Sequence, residues 1–230
     1  MKKLAICCAL CLTATSAFAA LSKDEVKRLS DAATIISELR NSPDKGIPEE
    51  LWSKAQCVLV IPSMKKAAFI VGGEYGSGVM SCHRGTSWSA PVFMQLMKGS
   101  WGLQVGAEQV DLVLLAMNQS GVDKLLEDKV ALGADVSVAA GPVGRSASAA
   151  TDAQLSAQLL SYSRAQGLFA GINLSGGVLH PDKEADERAY GPNAHARDII
   201  AGKGTIKMQA EASPFIKALE RDVRSTTGQK

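Results

Sequence analysis

The chain has 230 residues, 46% of them hydrophobic, 21% charged and only 5% aromatic. That composition excludes a disordered chain, a collagen and an integral membrane protein, and it implies a core of Ala, Val, Leu and Ile. The formal net charge of +2 gives no reason to expect nucleic-acid binding.

Lys2 and Lys3 open the chain, Leu4 to Thr13 is a short apolar run, and Ala17-Phe18-Ala19 has the small residues of a cleavage site. Residues 1–19 are therefore expected to be a secretory signal peptide, because the apolar run is too short to span a bilayer. Cys7, Cys8 and Cys11 lack the context of a lipoprotein signal. The expected mature chain, Ala20 to Lys230, has 23 basic and 23 acidic side chains once Lys2 and Lys3 are gone. Export implies a periplasmic or secreted location, at most peripheral on a membrane.

Residues 55–180 hold 16 of the 21 glycines but only 16 charged residues, whereas both flanks are charged. With no Pro/Ser linker in sight, this predicts one α+β domain over 20–230. A central antiparallel sheet or flattened barrel should carry helices from both termini.

In the N-terminal flank Ser22 and Glu25 have capping-box spacing, and Val26, Leu29, Ala33 and Ile36 fall on one helical face. Asn41-Ser42-Pro43 should end that helix, and Pro48 should open a short one reaching about Ala55. Strands are then expected at 57–61, stopped by Pro62, at 67–72, and at 79–83 after a turn over Gly73–Gly78. Further strand material lies at 91–97, 102–117, 131–140, 158–164 and 168–179, with a helix at 121–129. The C-terminal flank predicts helices at 194–201 and from Ser213, with Pro214 at its first position. Glycine pairs four apart (72/76, 102/106, 167/171) mark strand faces stripped of side chains. Tight packing explains them, and a ligand groove is the alternative.

Signatures of catalysis are missing. Gly144-Arg145-Ser146-Ala147-Ser148 fails as a nucleophile elbow and Gly202-Lys203-Gly204-Thr205 as a phosphate loop. His83, His180 and His195 lack partners at metal-ligand spacing, so no metal or cofactor is expected. Lys65 and Lys66, placed in a loop between apolar strands, read either as a solvated turn or as an anion contact. The first helix carries Lys23, Lys27, Arg28 and Arg40 against four acids, unlike a basic membrane-adhering helix.

Several stretches together resemble the SYLF lipid-binding domain family: Ala55 to Pro62, Val71 to Gly78, Trp88-Ser89-Ala90-Pro91 and Gly102 to Gly106. Gly141 to Arg145, Ser161-Tyr162-Ser163, Gly167 to Gly171, Tyr190-Gly191 and Asp198 to Gly202 continue the series. The resemblance implies a non-enzymatic lipid-binding protein, with phosphoinositide ligands in eukaryotic members and actin binding in fungal ones. An exported bacterial protein would meet neither actin nor phosphoinositides. The expected partner is therefore an anionic phospholipid surface, with Lys65, Lys66, Lys23, Lys27 and Arg28 as candidate contacts. The competing expectation is a structural or interaction protein of the cell envelope.

Two cysteines, Cys57 and Cys82, remain in the expected mature chain. Export favours a disulfide. A three-strand meander over 57–83 opposes it, since two strand spacings put the pair ~9.6 Å apart. The expectation is no bridge.

Overall fold

The computed structural model describes residues 20–41, 46–68, 71–101, 106–143, 156–165, 168–204 and 206–220. The expected leader, the turn at 42–45 and the motif residues 102–105, 144–145 and 167 lie outside them.

Helix α1, Lys23–Arg40, begins as its capping box requires. The Ser22 N–H donates to Glu25 Oε2 at 2.6 Å, and the Glu25 N–H donates to Ser22 Oγ at 3.4 Å. Leu29, Ala32, Ala33, Ile36 and Leu39 are buried along the predicted stripe. Helix α2, Glu49–Lys54, follows Pro48, which stands just before the helix.

Strands β1, Cys57–Ala68, and β2, Val71–Arg84, form one long hairpin where three short strands were expected. Pro62 does not stop β1 because it lies in a bulge, where a missing N–H costs no ladder bond. Register against β2 shifts between Val60 and Lys65. Ser63 takes φ +47°, and its N–H donates to Asp111 Oδ1 at 2.9 Å. The glycine run 73–78 is strand, not turn. A Cβ on Gly78 would stand 2.1 Å from the Val60 carbonyl oxygen, and one on Gly76 would stand 2.4 Å from Ile61 Cγ2. Glycine is needed there because bulged β1 leans across the space that side chains would fill.

The hairpin also corrects the cysteine expectation. Cys57 and Cys82 are directly paired residues with Cα atoms 3.9 Å apart, and they form a disulfide. The meander argument failed because no third strand separates them. Cys82 is therefore not a free thiol beside His83.

The other strands are β3 (Ser87–Trp88), β4 (Val92–Trp101), β5 (Gly106–Ala116), β6 (Val130–Ala131) and β7 (Val138–Ala140). They continue with β8 (Leu159–Ala165), β9 (Leu168–Gly171) and β10 (Gly177–Pro181). The sheet path is β6-β10-β4-β2-β1-β5-β8-β7, with β3 on β2 and β9 on β8. Every pairing between these strands is antiparallel except β7 with β8. The segment expected as one strand at 131–140 turns at Gly133, φ +88°, and supplies both edge strands. The sheet is therefore a curled half-barrel. The β1–β2 and β4–β5 connections lie at the same end, since Ala68 pairs with both Gly72 and Gly106.

Helix α3, Gln119–Leu125, starts two residues earlier than predicted because Asn118 caps it, accepting from the Gly121 N–H at 2.9 Å. Helix α4, Lys183–Tyr190, was not anticipated; Asp182 caps it, accepting from the Ala185 N–H. Helices α5, Ala196–Ala201, and α6, Ser213–Glu220, are the last α-helices among the described residues, with Ser213 inside α6 rather than before it.

Alternation along the strands feeds two cores. Val58, Val60, Val79, Phe93, Val113 and Tyr162 face α1, α2, α4 and α6. Leu59, Ile61, Met80, Met94, Leu112 and Leu114 fill the opposite face with side chains from α3 and α5. Of the paired glycines, Gly76 and Gly171 are packing glycines: a Cβ on Gly171 would stand 2.4 Å from the Gly141 carbonyl oxygen.

Candidate functional site

Positions 24, 27, 28 and 31 recur on one face of α1, and that face looks across at the bulge of β1. A cleft of about 400 Å³ separates them, lined by Asp24, Lys27, Arg28 and Asp31 on one side and by Ser63, Lys65 and Tyr75 among others on the strand side. Three of the five predicted site residues thus share one cleft. Lys65 and Lys66 are in strand β1, not in a loop, and pair with Tyr75 and Glu74 across to β2. Lys23 is exposed at the first position of α1 and is not part of the lining.

The three cations differ in their engagement. Lys27 Nζ meets Asp31 one turn on, but the Lys27 side chain is 70% exposed, so this pair contributes only ~0.3–0.5 kcal/mol. Arg28 is committed elsewhere: Nη1 donates to Asp182 Oδ2 at 2.7 Å, and the pair is largely buried. Lys65 is exposed and has no carboxylate partner among the described residues. An incoming anion therefore meets Lys65 without competition and Lys27 with weak competition.

Arg28 belongs to a charge network that ties α1 to α4. Glu25, fully buried, accepts from Arg188 Nη2 at 2.6 Å and Nε at 2.7 Å. Burial raises the Asp182 carboxyl, but bonds from Arg28, Gln95 and the Ala185 N–H outweigh it and hold the group below the ordinary range. Asp186 Oδ1 accepts from the Phe93 N–H at 2.9 Å, while Oδ2 has no partner. Burial, with the Asp182 and Glu25 charges adding to it, pushes the Asp186 carboxyl well above the ordinary range despite that bond. Sequence reading took Glu25 only as a capping residue and gave Asp182 and Asp186 no part in a charge network. The available signal was Asp186 one place after buried Ala185 and three before buried Ala189, on the apolar side of α4.

Two of the other concavities are larger. One, of about 590 Å³, lies beside Tyr75 and includes Met97, Lys98, Lys129 and Val178. Tyr75 walls both this groove and the cleft beside α1. The other, of about 510 Å³, lies where α4 meets α5, with Asp186 and His195 in its wall. Its charges are paired, Lys183 with Asp128 at 2.8 Å and Lys203 with Asp198 at 3.6 Å. His83 stacks on Trp88 with ring centroids 3.9 Å apart, and burial lowers its pKa. Among the described residues, no three His, Cys, Asp or Glu side chains gather as a metal-binding group. No described helix is long and apolar enough to cross a membrane.

The sequence profile of the Ysc84 family, described as Las17-binding protein actin regulator, matches residues 97–222. The chain belongs to this SYLF family. Within it, LAS seventeen-binding protein 3 of Saccharomyces cerevisiae is 34% identical over 181 residues, covering 77% of this chain and 39% of the yeast protein. SH3 domain-containing YSC84-like protein 1 of Xenopus laevis is 35% identical over 202 residues, covering 86% and 59%. The human protein of that name is 32% identical over 193 residues, covering 82% and 56%. The chain thus spans about two fifths to three fifths of these SYLF relatives. The yeast relative is named for binding LAS seventeen, and the family description names an actin regulator.

Proposed function

We propose that this protein is an exported, non-enzymatic SYLF protein that binds anionic phospholipid head groups through the cleft between α1 and the β1–β2 hairpin. The carrying observation is Lys65, exposed and without a carboxylate partner among the described residues, in one cleft with Lys27 and with Tyr75 in its wall. A head-group phosphate fits that pair, and displacing Asp31 from Lys27 costs little. Arg28 holds Asp182 and acts by keeping α1 in place. Lys66 follows Lys65 on β1, and Lys23 adds to the field from the start of α1. Each basic residue near an anionic surface contributes ~1 kcal/mol. The leader-like residues 1–19 and the Cys57–Cys82 disulfide support export, because disulfides persist in oxidising compartments.

A second reading has its own support. The family description and the yeast relative's name both refer to binding Las17, a protein partner. On that reading the same face of this chain binds an envelope protein instead.

Co-sedimentation of the exported protein with vesicles of phosphatidylcholine alone, or with phosphatidylglycerol added, separates the two. Binding is expected only to the anionic vesicles, and added salt should weaken it. Replacing Lys65 and Lys66 with Glu should weaken it at least ~30-fold, the equivalent of two lost contacts. Unchanged binding of that variant at low salt would remove the cleft from consideration. Absence of binding to either vesicle would favour the protein partner.

A further inference from the structure

The helix-facing side of the sheet is only partly covered. Val60, Val79 and Phe93 lie beneath the helices on β1, β2 and β4. Toward the hairpin end the same alternation, corrected for the bulge, brings Lys65, Tyr75, Met97 and Val178 onto that side as successive cross-strand partners. Tyr75 is 45% exposed and Met97 46% exposed, so two large side chains that could have been buried stand side by side in the open.

The groove next to them is built by absence. Gly73 and Gly99 are cross-strand partners in its wall. A Cβ on Gly99 would meet nothing within 4 Å, and one on Gly73 would meet only the Lys98 carbonyl oxygen at 3.9 Å. Nothing in the packing requires glycine at these two positions, unlike Gly76 and Gly78. Their effect is an open notch beside an exposed Tyr–Met pair.

Charge and size indicate the occupant. Lys98 and Lys129 line the groove against one acid, Glu74, and Lys65 lies beyond Tyr75 in the neighbouring cleft, which also holds Asp24 and Asp31. Lysines with long apolar stems suit a bilayer interface, where the amine stays with the phosphates while the stem lies against apolar surface. Tyrosine suits it too, having an apolar ring and a polar tip; here Ser77 Oγ lies 3.0 Å from the Tyr75 hydroxyl. Two side chains are too few for the ~1,200 Å² that a stable protein interface buries.

We propose that Tyr75, Met97 and the glycine-notched groove beside them enter the acyl-chain boundary of an anionic bilayer while Lys65, on the other side of Tyr75, contacts a head group. This deepens the lipid reading of the cleft and rests on it. Binding then has an apolar component that salt does not screen.

The test uses single tryptophans as depth reporters, Tyr75→Trp and separately Met97→Trp. Each is added to phosphatidylcholine/phosphatidylglycerol vesicles with or without bromine near the top of the acyl chains. At least one reporter should shift to the blue on binding and be quenched by bromolipid beyond the parent protein, which has Trp52, Trp88 and Trp101. Met97→Ser should lower the salt-resistant part of binding about tenfold, as expected for losing one partly buried side chain. If both reporters sediment with vesicles but neither shifts nor is quenched, the insertion is refuted and head-group binding stands. If the parent protein does not sediment, both fall. A vesicle-free dimer that Met97→Asp converts to monomer would also refute it, because the face would then be occupied by a second copy.

Discussion

Reducing the Cys57–Cys82 disulfide should cost the fold about as much stability as a substantial core truncation. The two residues are 25 positions apart and directly paired, so the bond closes a loop containing nearly the whole β1–β2 hairpin. In the unfolded chain that closure removes entropy; a 25-residue loop corresponds to about 3.5 kcal/mol at 25 °C. The native state should change little on reduction, because both side chains are buried and backbone pairing already holds them together. The difference therefore falls on the unfolded ensemble, and the urea dependence should steepen as the reduced chain unfolds to a more open state. Equilibrium urea unfolding of one sample, with and without reductant, reads both quantities. A stability difference under ~1 kcal/mol would refute the loop argument. Two titratable thiols in the unfolded, unreduced protein would refute the bond itself.

Gly78→Ala should destabilise by about 3 kcal/mol, the upper end of overpacking costs, because its Cβ meets the Val60 carbonyl oxygen. Gly99→Ala, with open space around it, should stay within ~0.5 kcal/mol in the same urea titration. Arg28→Ala should cost roughly 2 kcal/mol, less than a fully buried pair because Gln95 and the Ala185 N–H still bond Asp182; a change below ~0.5 kcal/mol would count against the network. Asp186 has a raised folded pKa, so its contribution is fully present below the unfolded value near 3.8 and is lost as pH rises through the folded value. Melting temperatures of Asp186→Asn should therefore vary less with pH than those of the parent above pH ~4, and parallel profiles would disprove the shift.

Much of the fold could be read from residue patterns with a local cause. The Ser22/Glu25 cap and the Leu29–Leu39 stripe set α1, and the antiparallel sheet between helical flanks followed from charge and glycine distribution. The errors came where a local signal had a tertiary cause. Pro62 and the glycines at 73–78 are ordinarily turn residues; here a bulge absorbs one and close strand approach requires Gly76 and Gly78. Reading them as punctuation broke one hairpin into three strands, and that error carried into the cysteine pairing. The cleft was partly legible, since Lys27, Arg28 and Lys65 were all singled out. What sequence could not supply was their engagement: Arg28 is bound to Asp182, 154 positions away. Tyr75 went unnoticed because its exposure depends on where α1 stops covering the sheet.

The origin of the sheet edges bears on how the chain reaches this fold during synthesis. β4, β2, β1 and β5 are complete once residue 116 has emerged, but the strands that cover their flanks, β10 on β4 and β8 on β5, come from residues 159–181. Until then β4 and β5 present bare backbone edges carrying Met94, Leu96, Leu112 and Leu114. Such edges pair readily with those of another chain. The short edge strands β6 and β7 are made before their neighbours and dock only when β10 and β8 arrive. Curling is thus a late event that depends on the C-terminal third, and a chain halted near residue 143 would have the central hairpins without their covers. Such fragments are expected in aggregates, and the complete chain escapes that fate by finishing its own sheet.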